Sequence, residues 1–415
     1  MQSYLIIGNG IAAAGCIEGV RERDAEGKIT VVSKENHPVY CRPLISYYLE
    51  GKTDLKKMMY RRESFYRDMK CEVIYGKSVV KLDEKEHTAH LSDGSKISYT
   101  KACLATGSVP FLPPMRGIEK VKNKFSFMTV DDMLAIEKAV SEKSRVLIVG
   151  AGLIGLKCAE GLADRVADIT VCDLADRILS SILDEECAAP VMKHMEKHGT
   201  EFMLGDTVEE FDENRATMKS GRTVEFDVLV TAVGVRADTV LMRDTEAKIG
   251  RGITVDNKMK TDAEDIYAAG DCTESTDISS GQKKVMALLP SAYMQGKCAG
   301  INMAGGSETL ENEIPMNSIG FFGMHIMTAG TYFTEAEGGK TVTLRYENEI
   351  RKFYLKDGFL RGFIFVGKTE RAGIFTALIR NRQPISEVDF ELLKKNSDYT
   401  GFSSENRRKI FGGVV

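Results

Sequence analysis

The sequence predicts an α/β protein: two parallel-sheet units that share one design, followed by a small α+β region. Three observations predict it. The run Tyr4-Leu5-Ile6-Ile7-Gly8-Asn9-Gly10-Ile11-Ala12-Ala13-Ala14 is a short apolar strand entering a glycine turn and a helix. The run Arg145-Val146-Leu147-Ile148-Val149-Gly150-Ala151-Gly152-Leu153-Ile154-Gly155 repeats that pattern about 140 residues later. From Asn317 the texture changes to short strands with hairpin signals.

In the first unit, Leu5–Ile7 reads as a strand buried on both faces. Gly8 permits the tight turn, Gly10 lets backbone approach a pyrophosphate, and Ala13 allows close helix packing. The helix N-terminus then favours negative charge. A second strand, Ile29-Thr-Val-Val, ends near Glu35, where an acid accepts hydrogen bonds from ribose hydroxyls. In the second unit, Gly150, Gly152, Leu153, Ile154 and Gly155 form the stricter version of the turn. Its next strand, Ile169-Thr-Val-Cys, ends at Asp173, placed for a ribose 2′-OH. A carboxylate there repels a 2′-phosphate, so NADH is favoured over NADPH; Arg177, four residues on, is the residue that could relieve this. Two such Rossmann-like cradles imply two dinucleotides on one chain, and electron transfer between them.

Composition narrows the classes. The 415 residues suffice for two to four domains. A net charge of −4 gives no global reason to expect nucleic acid. The longest apolar stretch, Val146–Leu156, is too short and glycine-rich to span a bilayer. The first strand already includes residue 4, so no signal peptide and a cytoplasmic location are expected. The nine cysteines include no CxxC pair and no zinc or iron–sulfur spacing, so buried thiols and no metal centre are expected. His194 and His198 stand four apart near a helix end but lack a third ligand nearby. His87 and His90 flank an expected hairpin, and Met324 and Met327 read as packing.

Further motifs carry a family resemblance. Ala105-Thr106-Gly107 follows the strand Ala102–Leu104, and Thr261 precedes Ile266-Tyr267-Ala268-Ala269-Gly270-Asp271. With the two cradles, these resemble the FAD-dependent pyridine nucleotide-disulfide oxidoreductases of glutathione-reductase-like fold. The resemblance implies that FAD occupies the first cradle, with Asp271 on its ribityl and pyrophosphate portion. It adds Arg42, Val79 and Ala292 as flavin-site positions and Val233-Gly234, in the return strand Leu229–Arg236, beside the nicotinamide. It also implies that the NAD domain is inserted in the FAD domain: 1–113 and 234–312 for FAD, 114–233 for NAD, and 313–415 for the C-terminal α+β domain. The helix after Leu288 resembles the one whose N-terminus points at the flavin.

The strands Thr341–Tyr346, Ile350–Leu355 and Phe359–Val366, the turn Asp357-Gly358 and a helix over Arg371–Arg380 are expected in the last region. It resembles the third domain of NADH:rubredoxin reductases and of the flavin half of NADH-dependent nitrite reductases. Arg345–Arg382 contains nine Lys or Arg against four Asp or Glu, which suggests a basic face for a small acidic partner such as rubredoxin or ferredoxin. A monomer or homodimer is expected.

The chemistry is hydride transfer, which needs nicotinamide and flavin about 3–3.5 Å apart. Relatives with R-P-P-L-S place a lysine next and pair it with a glutamate past the third glycine. Here Arg42-Pro43-Leu44-Ile45-Ser46 is followed by Tyr47, and Lys157 stands where the glutamate would. Lys157 is therefore expected to stabilise reduced flavin, with Tyr47, Glu50 or Glu160 as its partner. Cys41 lies where disulfide reductases and NADH peroxidases of the wider family keep one redox cysteine, though without their C-G-L-P context; a structural and a redox role both stand. The resulting expectation is an FAD-dependent NADH oxidoreductase with a separate iron–sulfur acceptor. The alternatives are an oxidase, peroxidase or coenzyme A disulfide reductase using Cys41, an electron-transfer subunit of a larger complex, and an NADH-binding sensor.

Overall fold

The computed structural model describes residues 2–397 and 399–403. The chain forms two compact units, one of Met1–Ser275 with Lys284–Leu310, the other of Thr276–Lys283 with the chain from Glu311 onward.

The first unit holds two five-stranded parallel sheets. One runs in the order Ile266–Ala268, Lys101–Leu104, Ser3–Ile7, Lys28–Val32, Cys71–Ile74. The other runs Thr200–Leu204, Asp168–Asp173, Arg145–Val149, Val228–Thr231, Lys124–Phe125. Each central strand is apolar because helices or loops cover both faces: Leu5, Ile6, Leu147 and Ile148 are fully buried. Each sheet carries a three-stranded antiparallel meander, Val79–Asp83 with Thr88–Leu91 and Lys96–Ser98, and Val208–Asp212 with Arg215–Met218 and Thr223–Glu225. The design is thus duplicated beyond the glycine turns.

Helices α1 (Ile11–Arg21), α2 (Leu44–Leu49), α3 (Phe65–Asp68), α4 (Val130–Ala139), α5 (Leu153–Leu162), α6 (Glu185–Glu196) and α7 (Leu289–Met303) complete this unit. The first sheet takes strands from both sides of the second. The chain leaves along Ser108–Pro110 and returns along Val235–Ala237, and these two segments pair antiparallel. The expected continuous return strand Leu229–Arg236 is therefore two elements. It breaks because Gly234 adopts φ +119°, a left-handed conformation that ends strand geometry.

Helices α1 and α7 cross backbone to backbone. A Cβ on Gly296 would lie 1.9 Å from the Ala12 carbonyl oxygen, and one on Gly300 2.1 Å from that of Cys16. Gly15 and Gly19 of α1 answer them against Tyr293 and Lys297, each at 2.3 Å. Contacts advance together along both helices, so the helices run in the same direction and their N-termini meet at one end.

In the second unit, an antiparallel sheet runs Met316–Phe321, Met324–Gly330, Phe359–Gly367, Glu349–Lys356, Lys340–Tyr346, with helices α8 (Gly373–Arg380) and α9 (Phe390–Asn396). The hairpin turn is at Asp357 (φ +53°) and Gly358 (φ +78°), as the sequence suggests. Phe353, Phe363, Phe365 and Phe375 form its core. The basic face shrinks on inspection. Arg351 and Lys352 are buried, Arg351 bound to Glu349 and to carbonyls of Lys394 and Lys395. Arg345, Lys368, Arg371 and Arg382 are exposed, against exposed Glu347, Asp357 and Glu370. Lys356, Arg361 and Arg380 are half-buried, so the positive excess is reduced and not abolished; Arg351 and Lys352, neighbours on one strand, are both covered because that strand is buried on both faces.

Gly296→Ala should destabilise the protein by about 1–3 kcal/mol, the usual cost of overpacking, since backbone and not a flexible side chain must move. Gly373→Ala, with open space around it, should show no loss. Urea unfolding midpoints of the two variants check the contrast.

Candidate functional site

The first glycine turn is fixed from both sides. Gly8 has φ +105°, and a Cβ there would sit 2.1 Å from the Ala105 carbonyl oxygen; its N–H donates to Val32 O at 2.9 Å. Gly10 is the N-cap of α1, carries no capping side chain, and has nothing within 4 Å of its Cβ direction. The free N–H groups of α1 therefore open onto a cradle that a side chain would fill, which suits a pyrophosphate. Ala13 is fully buried behind it. At the same end, Gly270 (φ +84°) lies against Ala12 and Ala292, which a Cβ there would meet at 3.0 and 3.6 Å. The N-termini of α1 and α7 and the Gly270-Asp271 turn thus converge. Buried Gln295 holds that turn: its Oε1 accepts from Gly270 N at 2.7 Å and from Thr273 Oγ1 at 3.0 Å. Ala105 and Gly107 line the turn, and Thr106 donates to Asp238 O at 2.7 Å.

Glu35, Tyr40, Arg42 and Asp271 form the polar wall. Tyr40 donates to Glu35 at 2.6 Å and accepts from Val130 N at 3.2 Å. Arg42 pairs with Glu35 and donates to Met128 O at 2.8 Å. Burial opposes the Arg42 charge, yet Tyr40, Glu35 and Asp271 together raise its pKa. Burial also raises the pKa of Asp271, although Arg42 pulls the other way. A desolvated carboxyl beside an arginine and an open helix end fits a ligand with hydroxyls and phosphates. Val79 is buried at the start of the meander, and Lys77 just before it donates to Ser33 O, two residues from Glu35.

The second cradle copies the first. Gly150 has φ +118°, with the Ala232 carbonyl oxygen 2.2 Å from its Cβ direction; Gly152 caps α5 and faces open space. Gly155 is pressed on Gly150, 2.0 Å from its carbonyl oxygen by the same measure. Leu153 and Ile154 form the first turn of α5. Asp173 accepts from Ala151 N at 2.6 Å and Ala175 N at 2.8 Å, which locks its carboxylate at the cradle's edge. Arg177 is committed to Asp176 and to the Leu183 carbonyl. Val233 and Gly234 lie in the bend after the strand, not within it.

Helices α2 and α5 bring the two cradles' chains together: Gly161 packs on Ser46, and Arg165 donates to the Leu49 carbonyl. Here Lys157 pairs with Glu160, lies 3.9 Å from Glu50 Oε1, and stands 4.7 Å from the centre of the Tyr47 ring. All three candidate partners named from sequence surround it. Cys41 is half-buried, with burial pushing its thiol pKa up despite the Leu44 N–H. Arg42, the next residue, is turned to Glu35 and Met128, so its charge is engaged there and not with the Cys41 thiol. His198 Nδ1 lies 2.8 Å from His194 O. Among the described residues, no group of three His, Cys, Asp or Glu side chains could hold a metal ion. None of their helices is long and apolar enough to cross a membrane.

The model of the family described as "Pyridine nucleotide-disulphide oxidoreductase" matches residues 2–296. The chain is 31% identical, over 93% of its length and 93% of the relative's, to the NADH-dependent phenylglyoxylate dehydrogenase subunit epsilon of Aromatoleum evansii. It is 29% identical over 97% of its length to the nitrite reductase [NAD(P)H] of Bacillus subtilis, of which it spans half. Among solved structures, NADH:rubredoxin oxidoreductase from Clostridium acetobutylicum aligns over 92% of this chain and 97% of its own, with TM-score 0.75 and 22% identity, a likeness of fold.

Two predictions follow from the cradle chemistry. Gly10→Ala should leave apoprotein stability unchanged but weaken FAD retention, whereas Gly8→Ala should destabilise the fold itself; melting with and without FAD separates them. Asp271 has a raised folded-state pKa, so its unfavourable ionisation is absent below about pH 4 and complete above the raised value. Asp271→Asn should therefore raise the apoprotein melting temperature at neutral pH, with the gain vanishing in acid. It should weaken FAD binding about tenfold, or ~1.5 kcal/mol, the scale of a hydrogen bond to a charged group.

Proposed function

The chain belongs to the pyridine nucleotide-disulphide oxidoreductase family and is an oxidoreductase using FAD and NAD(P)H; from that premise we propose that it takes hydride from NADH and delivers electrons to a separate iron–sulfur protein. The observation that carries this reading is the pair of open helix N-termini, at Gly10 and Gly152, in one compact unit whose chains meet at α2 and α5. FAD, when bound, supplies a hydride acceptor that can release electrons singly.

The chain's own residues have separable tasks. Gly8, Gly10 and Ala13 shape the flavin pyrophosphate site; Arg42 and Asp271 supply its polar contacts, and Glu35 the adenosine ribose contact. Ala105, Thr106, Gly107, Val79, Gly270 and Ala292 line the remainder. Gly150, Gly152, Leu153, Ile154 and Gly155 shape the nicotinamide nucleotide site, with Val233 and Gly234 beside its ring. Asp173, fixed by two backbone donors, places negative charge where NADPH carries a phosphate, and Arg177 is occupied elsewhere. This supports NADH as donor.

A specific observation favours a second reading, an electron-transfer subunit of a larger complex. The match to the dehydrogenase subunit epsilon covers 93% of both chains. Use of Cys41 as a redox thiol has less support, because burial disfavours the thiolate.

Anaerobic NADH titration of the FAD-loaded protein should bleach the flavin within one equivalent. Rubredoxin or ferredoxin should then restore its colour faster than oxygen, nitrite or coenzyme A disulfide does; bleaching followed by no turnover with any soluble acceptor would favour the subunit reading. Lys157→Glu should lower the flavin midpoint potential by about 30 mV, equivalent to ~1.4 kcal/mol for two electrons. An unchanged potential discards the assigned role of Lys157.

A further inference from the structure

The α2–α5 junction contains more charge than cofactor positioning requires. Glu50 and Glu160 both face Lys157, and their side chains are 8% and 5% exposed. Two buried carboxylates share one half-buried ammonium, while Lys52, 60% exposed, holds Glu50 Oε2 from the solvent side. Glu50 Oε1 is the unusual atom. It is buried, accepts no hydrogen bond, and stands 3.9 Å from Lys157 Nζ, beyond hydrogen-bond range. A buried carboxylate oxygen without a donor is costly, so Glu50 Oε1 is the acceptor position in this cluster left to fill.

The stoichiometry of the proposed reaction supplies a proton. Oxidation of one NADH by two one-electron acceptors gives NAD+, two reduced acceptors and one H+. The C4–H bond of the nicotinamide breaks, its two electrons end one on each acceptor, and the proton is left to be carried away by the protein or by water. We propose that Glu50 Oε1 receives this proton and that Glu50, held at its Oε2 by exposed Lys52, releases it to water at that solvent edge. This inference rests on the reading that electrons leave singly to a one-electron carrier.

The surroundings suit transient protonation. On α2, Tyr47 places its ring near both Lys157 and Lys52, at 4.7 and 5.9 Å, so the two cations of the cluster share one aromatic face. Tyr48 engages Glu137 of α4, and Arg165 pairs with Glu137 and the Leu49 carbonyl, so these charges are engaged with one another. Glu160 accepts directly from Lys157 and remains the paired acid. Glu50 is therefore the member of the cluster with an open oxygen.

Glu50→Gln tests this, using ferricyanide as an outer-sphere one-electron oxidant that takes no proton. In stopped flow, the ratio of ferricyanide reoxidation rate to NADH bleaching rate should fall at least about tenfold, a floor set below the roughly 100- to 10,000-fold typical of general acid–base groups. The redox-difference infrared spectrum of the wild type should show a protonated-carboxyl band absent from the variant. An unchanged rate ratio, or a carboxyl band that persists in Glu50→Gln, overturns the proposal. Lys52→Met, at an exposed position, provides a variant independent of core packing. It should lower the same ratio several-fold while leaving the carboxyl band in place; an unchanged ratio also overturns the proposal. Absence of NADH bleaching in the wild type would instead strike the underlying oxidoreductase reading.

Discussion

The contact of α1 with α7 is the constraint on which the flavin cradle depends. Four glycines let two helices touch through their backbones, and no side chain of any size could substitute. Because the helices run in the same direction, two positive dipole ends are brought to one place. The helices do not favour that arrangement on their own account. An anionic ligand at the shared end removes the repulsion, so the scaffold is built to be completed by one. Bound dinucleotide should then count directly toward the stability of the fold by linkage.

The glycine turns were legible because their signal is local: strand, turn, helix and acid lie within about thirty residues, and each residue type has a steric or electrostatic reason. The Asp357-Gly358 hairpin was legible for the same reason. Gln295 and Tyr40 were not recognised as site-building residues, because their roles come from segments far away in sequence. Gln295 acts on Gly270 and Thr273, and Tyr40 reaches Val130. Nor did the sequence pattern reveal the strands Met316–Phe321 and Met324–Gly330, whose mixed polar and apolar residues have no clean alternation.

Charge was the least legible property. Counting Lys and Arg along Arg345–Arg382 suggested a basic face, but the sheet buries Arg351 and Lys352 against their own partners. The exchange of lysine and glutamate expected of R-P-P-L-S relatives was visible in sequence at Tyr47 and Lys157. Its consequence was not: the new lysine collects two acids, and one of them retains an open oxygen. Sequence identifies which charges are present; only packing decides which are spent on each other.

The antiparallel pairing of Ser108–Pro110 with Val235–Ala237 has an architectural consequence. Outgoing and incoming chain lie side by side, roughly 5 Å apart as in any two-stranded ladder. The backbone between them joins the first sheet's chain only through this stem, while side-chain contacts such as those of α2 with α5 fasten the rest. Such a stem permits the intervening segment to be traded as a cassette, bringing a different coenzyme preference to an unaltered flavin scaffold.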